Sequence, residues 1–341
     1  MKPLEGYLHG ANLGHWLSQY GHRGSEEYWS TYITKKDIAR MAEWGIDHVR
    51  LPVDYMFFET DDEKPMVYDE SRLAYIDNTI EWCGEYGINL ILDLHHAPGF
   101  VFLGGEKNDL FTNEKNRARF LAIWRMFAKR YSGIGDRLIF ELLNELVWEN
   151  SDSWNELWPE ACEVIWKESP HRRIIVGGNH FNSASELKNL KVTPDERIIY
   201  NFHFYEPIWF THQSAPWVDF LRDYKRQIEY PFRPADHAEF RDGAIVRAYS
   251  GYEVVDKKYL EDRLKPVDKF IEETGKTVYC GEYGVFFVAP RESAIRWLND
   301  VSTLLKERGI GRAVWSYRGF ATITSPDNKT WDEEMVKAIV M

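Results

Sequence analysis

The chain has 341 residues, room for one large domain or two ordinary ones, and its 54 acidic against 42 basic residues give a formal net charge of −12 and a pI near 5.5. Nucleic acid and anionic membrane would both repel such a surface on approach, so a neutral substrate fits better than either. Cys83, Cys162 and Cys280 are odd in number, widely spaced and without C-x-x-C, which indicates free thiols rather than a disulfide framework or a cysteine zinc site. Aromatics make up 15% of the residues, 14 of them Trp, at a mean hydropathy of −0.48: a soluble chain with an excess of large flat side chains. No segment stays apolar for the roughly 18 residues of a membrane span, and the N-terminal "MKPLEGYLHGANLG" lacks an apolar export core. Location is therefore open: cytoplasmic as the chain stands, secreted if a signal has been removed.

In chain order, the run "YLHGANL" (7–13) reads as a first strand, and "TKKDIARMAEWG", opened by Thr34, as a helix. "IDHVRLP" (46–52) and "INLILDLHH" (88–96) are strands two and three, separated by the helical "SRLAYIDNTIEWCGEYG" with Ser71 as cap. The helix "NEKNRARFLAIWRMFAKRY", capped by Asn113, leads to "LIFELLNE" (138–145). "RIIVGG" (173–178) and "IIYNFHFY" (198–205) follow, then the helix "KYLEDRLKPVDKFIEETG", "TVYCGEYG" (277–284), the helix "SAIRWLNDVSTLLKERG" and "RAVWSY" (312–317). Strand then helix, eight times, predicts an α/β protein folded as a single (β/α)8 TIM barrel over 1–341. One interval breaks the rhythm. Residues 206–258, rich in aromatics, Pro and charge, are too dense in Trp, Tyr and Phe for disorder and predict a small lid subdomain inserted after strand six.

In such a barrel the C-terminal strand ends line the site. They carry Asn12, Arg50, His95, His96, Asn144, Glu145, His203, Tyr205, Glu282 and Trp315. Glu145 and Glu282, on strands four and seven across the barrel, suggest glycoside hydrolysis, in which one carboxyl protonates the leaving oxygen and the other supports the anomeric centre. An arginine and a phenol donating to a carboxylate keep it ionised, whereas a carboxyl in a partly dry cleft near another is pushed up in pKa.

The motifs "VRLP", "LDLHHAPG", "FELLNE", "NFHFY", "YCGEYG" and "AVWSY", in this order, resemble glycoside hydrolase family 5 of clan A, above all its compact bacterial endoglucanases. The resemblance runs from "GANLGHWLSQYG" to "AVWSY". It implies Glu145 as acid/base, Glu282 as nucleophile, Asn144 on the sugar 2-hydroxyl, Arg50 and Tyr205 as partners of Glu282, His95 and His203 around the innermost sugar, and Trp315 as the platform beneath it. One departure stands out: many relatives read Asn-Glu-Pro where this chain has Asn144, Glu145, Leu146. The inserted segment resembles the extra subdomain of the same enzymes, with Trp209, Phe210 and His212 as wall residues. The activity implied is that of a retaining endo-β-1,4-glucanase on cellulose-like and mixed-linkage β-glucan, with β-mannanase or glucomannanase and exo-β-1,3-glucanase as alternatives. No metal or organic cofactor is implied, and a monomer is expected.

Strand parity places His48 below Arg50, Asp93 below His95, Glu141 below Glu145 and Cys280 below Glu282, a buried layer whose polar members must satisfy one another. Glu141 is expected to pair with an Arg or His, and Glu149 to lie on the rim. Two rival classes remain: a metal-dependent hydrolase using Asp93, His95, His96 and His203, and a glycan-binding barrel without chemistry.

Overall fold

The computed structural model describes every residue except 62, 105, 106, 320–322, 326 and 328. Eight parallel strands close into a barrel in sequence order: β1 (His9–Asn12), β2 (His48–Asp54), β3 (Asn89–His96), β4 (Leu138–Glu141), β5 (Ile174–Gly177), β6 (Ile198–Phe204), β7 (Val278–Tyr283) and β8 (Gly311–Val314). Around them pack the helices Lys35–Glu43, Glu70–Glu85, Glu114–Arg130, Asp152–Glu168, Lys257–Thr274, Arg291–Glu307 and Glu333–Ile339. Their apolar stripes and the outward faces of the strands form one continuous core.

Local chemistry accounts for the helix ends. Thr34 and Asp37 form a capping box, and the Asn113 side chain accepts from the Lys115 N–H. Ser71 is not a cap: Asp69 takes that place, accepting from the N–H groups of Ser71 and Arg72, and the helix starts two residues earlier than expected. The strict strand–helix alternation also fails once, since β5 returns to β6 through the short 3-10 helix Ala184–Asn189.

Inside the barrel the side chains stack in layers. Ile91, Ile139, Ile175, Ile199, Tyr279 and Ala313 fill the floor, closed by Leu4 and Tyr7. Two residues further along their strands come Asp93, Glu141 and Asn201, which with Asn12 and Arg50 form a fully buried polar layer. Strand parity predicts Cys280 in this layer, but β7 carries a bulge: Phe202 pairs with Cys280 and His203 with Glu282, so the chain slips by one residue. Tyr279 and Glu282 therefore both face inward, while Cys280 is turned into the outer apolar core. The β4 ladder ends at Glu141, and Glu145 lies beyond it in left-handed backbone at φ 42°.

Residues between β6 and the helix Lys257–Thr274 are drawn together by an antiparallel bridge between Phe232 and Val255 and by an aromatic cluster of Trp209, Phe220, Tyr224, Phe240, His237, Phe232 and Tyr249.

The floor tolerates little extra volume. A Cβ on Gly10 would come within 2.2 Å of His48 Nε2, and that ring is pinned between Asp47 at 2.7 Å and the Tyr279 hydroxyl at 2.6 Å. Gly10→Ala is expected to cost about 1–3 kcal/mol in urea unfolding. Gly133→Ala, with nothing within 4 Å of the new atom, should stay within about 0.5 kcal/mol; equal losses for the two would contradict this packing.

Candidate active site

Arg50 enters the barrel from β2 with no exposure to solvent. Its Nε and Nη2 donate to the two oxygens of Glu141 at 2.7 and 3.0 Å, and its Nη1 donates to Glu282 Oε1 at 2.9 Å. Nη2 also reaches Asp93 Oδ2 at 3.0 Å and Asn144 Oδ1 at 2.9 Å, and Nη1 reaches Asn12 Oδ1 at 2.9 Å. Three carboxyl groups thus share one guanidinium. The expectation that Glu141 pairs with a basic neighbour holds, and Asn201 adds a third hydrogen bond to it at 2.9 Å. One cation cannot compensate three buried anions. Burial pushes Glu141 and Asp93 each up to about 7 despite the pull of Arg50.

The two glutamates expected at the mouth do meet there. One oxygen of Glu145, one of Glu282 and a nitrogen of His203 all lie within 4.8 Å of one another. Glu282 accepts from the Tyr205 hydroxyl at 2.7 Å as well as from Arg50, and only 6% of its side chain is exposed. Glu145 makes no hydrogen bond to Arg50; its partner is His203, whose Nδ1 sits 2.9 Å from Oε1. Burial, and then the charge of Glu282, raise Glu145 well above the usual carboxyl range. The expectation that Arg50 and Tyr205 keep Glu282 low needs correction. Burial raises it to about 7, and the guanidinium and phenol only limit the rise. The order of the pair survives, because the donors gather on Glu282 and the repulsion falls on Glu145. Burial also holds His95 and His203 neutral, well below the usual imidazole value.

Above the pair opens a cavity of about 280 Å³. His95, Glu145, Tyr205, Glu282 and Trp315 line it as expected, His95 lying parallel to Trp315 with centroids 5.7 Å apart. Asn144 lies just beneath, its Nδ2 buried with no hydrogen-bond partner among the described residues. Asn12 does not face the cavity: its Nδ2 donates to the carbonyls of Gly281, Ala313 and Val314, and its role is to hold Arg50 and the strands around it. His96 likewise turns aside, with Nδ1 2.8 Å from Asp54 and its ring stacked on Phe102. Trp209 and Phe210 are interior residues of the inserted segment, the former among Phe220, Tyr224 and Phe240, the latter against Tyr230. Their large apolar faces are consumed there, so neither is a wall residue. His212 is one, edge-on to Tyr205 at 5.0 Å.

Sequence reasoning missed His15, Gln19, Phe102, Leu103, Thr211, Trp217 and Phe286, which complete the walls from loops after β1, β3, β6 and β7. Strand-end position carries no signal for residues several positions into a loop. Asn201 was missed as well, although its place two residues before His203 on one strand is a parity signal that could have found it. The four residues of the metal reading do not converge. Asp93 Oδ2 is held by Arg50 and by His95 Nδ1 at 2.8 Å, and His96 faces Asp54. Among the described residues the one set of potential ligands in mutual reach is Glu145, His203 and Glu282.

Comparison with known proteins agrees with this geometry. Endoglucanase C of Acetivibrio thermocellus is 41% identical over 335 residues, covering 97% of each chain, and Cellodextrinase A of Ruminococcus flavefaciens is 34% identical over 314 residues, covering 92% of this chain and 86% of that one. Thermotoga maritima Cel5A, solved in complex with cellobiose, shares the fold at a TM-score of 0.79 and 24% identity, with 99% and 100% of the two chains covered. Residues 11–321 match the family described as cellulase, glycosyl hydrolase family 5. With two carboxyl groups at the mouth of a closed eight-stranded barrel and this match along nearly its whole length, the chain belongs to glycosyl hydrolase family 5, the cellulases.

Proposed function

We propose that the protein is a retaining endo-β-1,4-glucanase that cleaves internal bonds of cellulose-like and mixed-linkage β-glucans. The observation that carries this reading is the pair Glu145 and Glu282, with oxygens within 4.8 Å and opposite environments. Carboxyl groups about 5 Å apart leave no room for a water between nucleophile and sugar, as inversion would require. Glu282, gripped by Arg50 and Tyr205, is the carboxylate that attacks the anomeric carbon; Glu145, kept protonated, gives its proton to the departing glycosidic oxygen. A covalent glycosyl-enzyme results. Glu145, now ionised, takes a proton from water, the hydroxide oxygen bonds to the anomeric carbon, and Glu282 leaves as carboxylate.

The walls suit a neutral polysaccharide. Trp315 offers an indole face to the C–H face of a pyranose, and the unpartnered Asn144 Nδ2 offers a donor to a hydroxyl beside the anomeric carbon. The Acetivibrio thermocellus relative at 41% identity is named an endoglucanase, which favours glucan over mannan and endo over exo action. The inserted segment, through His212 and Trp217, acts as one wall of the cleft.

Three outcomes are expected. NMR of barley β-glucan digestion will show the β-anomer first, with rapid viscosity loss; initial α-anomer, or a single product from chain ends, would refute retention or endo action, and faster attack on glucomannan would favour the mannanase alternative. Glu145→Ala and Glu282→Ala will each lose about 10²-fold or more, azide rescuing the first as a β-glycosyl azide and the second as an α-glycosyl azide; exchanged anomers would exchange the roles. Tyr205→Phe removes a hydrogen bond that favours the charged form of Glu282, so its pKa rises and the acid limb of kcat/KM moves to higher pH.

A further inference from the structure

After β5 the backbone makes a left-handed turn: His180 (φ 47°, ψ 57°), Phe181 (φ 59°, ψ 45°) and Asn182 (φ 53°). Three consecutive non-glycine residues in this region are costly, and such strain persists only where the surroundings over-determine it. Here two sets of contacts do so. The Phe181 N–H donates to the carbonyl of Leu146, the residue after Glu145, at 3.1 Å. The Asn179 amide brackets Trp148, accepting from its N–H and donating to its carbonyl, both at 3.0 Å. Ser183 then bridges in parallel to His203 on β6. The turn therefore grips the loop that carries Glu145 and lays Asn182 beside the imidazole that touches Glu145.

Asn182 is fully buried, with Nδ2 3.3 Å from His203 Nε2. Gly177 makes room for it, since a Cβ there would stand 2.3 Å from its Oδ1. Asn201 brings a second N–H to within 3.5 Å of the same nitrogen, its orientation fixed because its Oδ1 accepts from the Gly281 N–H at 2.8 Å. On the opposite side of the ring, Nδ1 faces Glu145 at 2.9 Å and Glu282 at 3.6 Å. A neutral imidazole has one N–H. Carboxylate oxygens call for it at Nδ1, which leaves Nε2 as a buried acceptor in need of a donor.

We propose that Asn182 is a positioning residue for the acid/base: by donating to His203 Nε2 it holds the imidazole in its Nδ1–H form, which occupies Oε1 of Glu145 and leaves the catalytic proton to the other oxygen. This rests on the reading of Glu145 as proton donor. Without the Asn182 amide only the longer contact of Asn201, at 3.5 Å, opposes the Nε2–H form, which becomes more accessible. Nδ1 then presents a lone pair to Glu145, accepts its O–H and draws the proton away from the leaving group, while the protonated carboxyl is favoured. The other titratable or charged groups facing the pair are Arg50 on β2, Asp93 and His95 on β3, Glu141 on β4, Tyr205 on β6 and Glu282 on β7; none is altered by a change at 182.

The test combines NMR of 15N-histidine protein with kinetics of Asn182→Gly, a substitution that suits the φ of 53° and removes the side chain together with its amide. Signals of His203, assigned by comparison with His203→Gln, should show a protonated Nδ1 and a bare Nε2 in the parent and lose that preference in the variant. kcat/KM on cellotetraose should fall about tenfold or more and its alkaline limb move to higher pH, while 2,4-dinitrophenyl β-cellobioside, whose leaving group needs no proton, is largely spared. A parent His203 carrying its proton on Nε2 would overturn the proposal. So would a variant with an unmoved limb and equal losses on both substrates, the mark of a merely structural residue. If the variant does not fold, the parent spectrum decides alone; if the parent ignores cellotetraose, the glucanase reading fails and the tautomer measurement still stands.

Discussion

A guanidinium cannot shed its charge, and buried in the middle of a barrel it has to be met on every N–H by an acceptor. Arg50 sets that demand, and Asn12, Asp93, Glu141, Asn144 and Glu282 answer it from β1, β3, β4, the loop after β4, and β7. The polar layer is thus a single object. Its members cannot be considered one at a time, because each carboxyl is tolerable only while it has its share of one cation, and the cation only while they surround it. Everything above this layer inherits its position: Glu282 is oriented from below by Arg50, Asn144 by the same group, and His95 by Asp93.

That arrangement also separates two chemically identical side chains. Glu282 has the guanidinium and the phenol; Glu145 has only an imidazole kept neutral by burial, and stands next to the charge of Glu282. The asymmetry is one of partners rather than of exposure, since both groups are largely buried. Glu145 also departs from the strand geometry of its counterpart. It sits in left-handed backbone past the end of β4, its loop tied to the turn after β5 through Leu146 and Trp148. A proline after Glu145 would stiffen that loop by its ring; here, with Leu146, hydrogen bonds from the turn after β5 hold it.

Much of the fold was legible because a (β/α)8 barrel repeats its signal eight times: short β-branched runs, then amphipathic stretches with caps and closing glycines. Inward parity identified Asp93 beneath His95 and Glu141 beneath the mouth, and failed where the backbone breaks period two, at the β7 bulge that turns Cys280 outward. The aromatics of the inserted segment misled for a related reason. Trp209 and Phe210 look like sugar platforms in one dimension, but the segment packs them inward against its own aromatics.

By itself, then, the sequence determined the barrel, the strand-end side chains and the family, since periodicity and ordered motifs are properties of the chain read along its length. Only the tertiary structure decided which of those side chains share a proton and which share a cation. Glu145 and Glu282 are 137 positions apart, His203 lies between them in sequence and beside both in space, and the donors around them arrive from β2, the turn after β5, and the end of β6. Burial supplies the remaining reason: in water these carboxyls would be alike, and it is desolvation among a fixed set of donors that sets their pKa values apart.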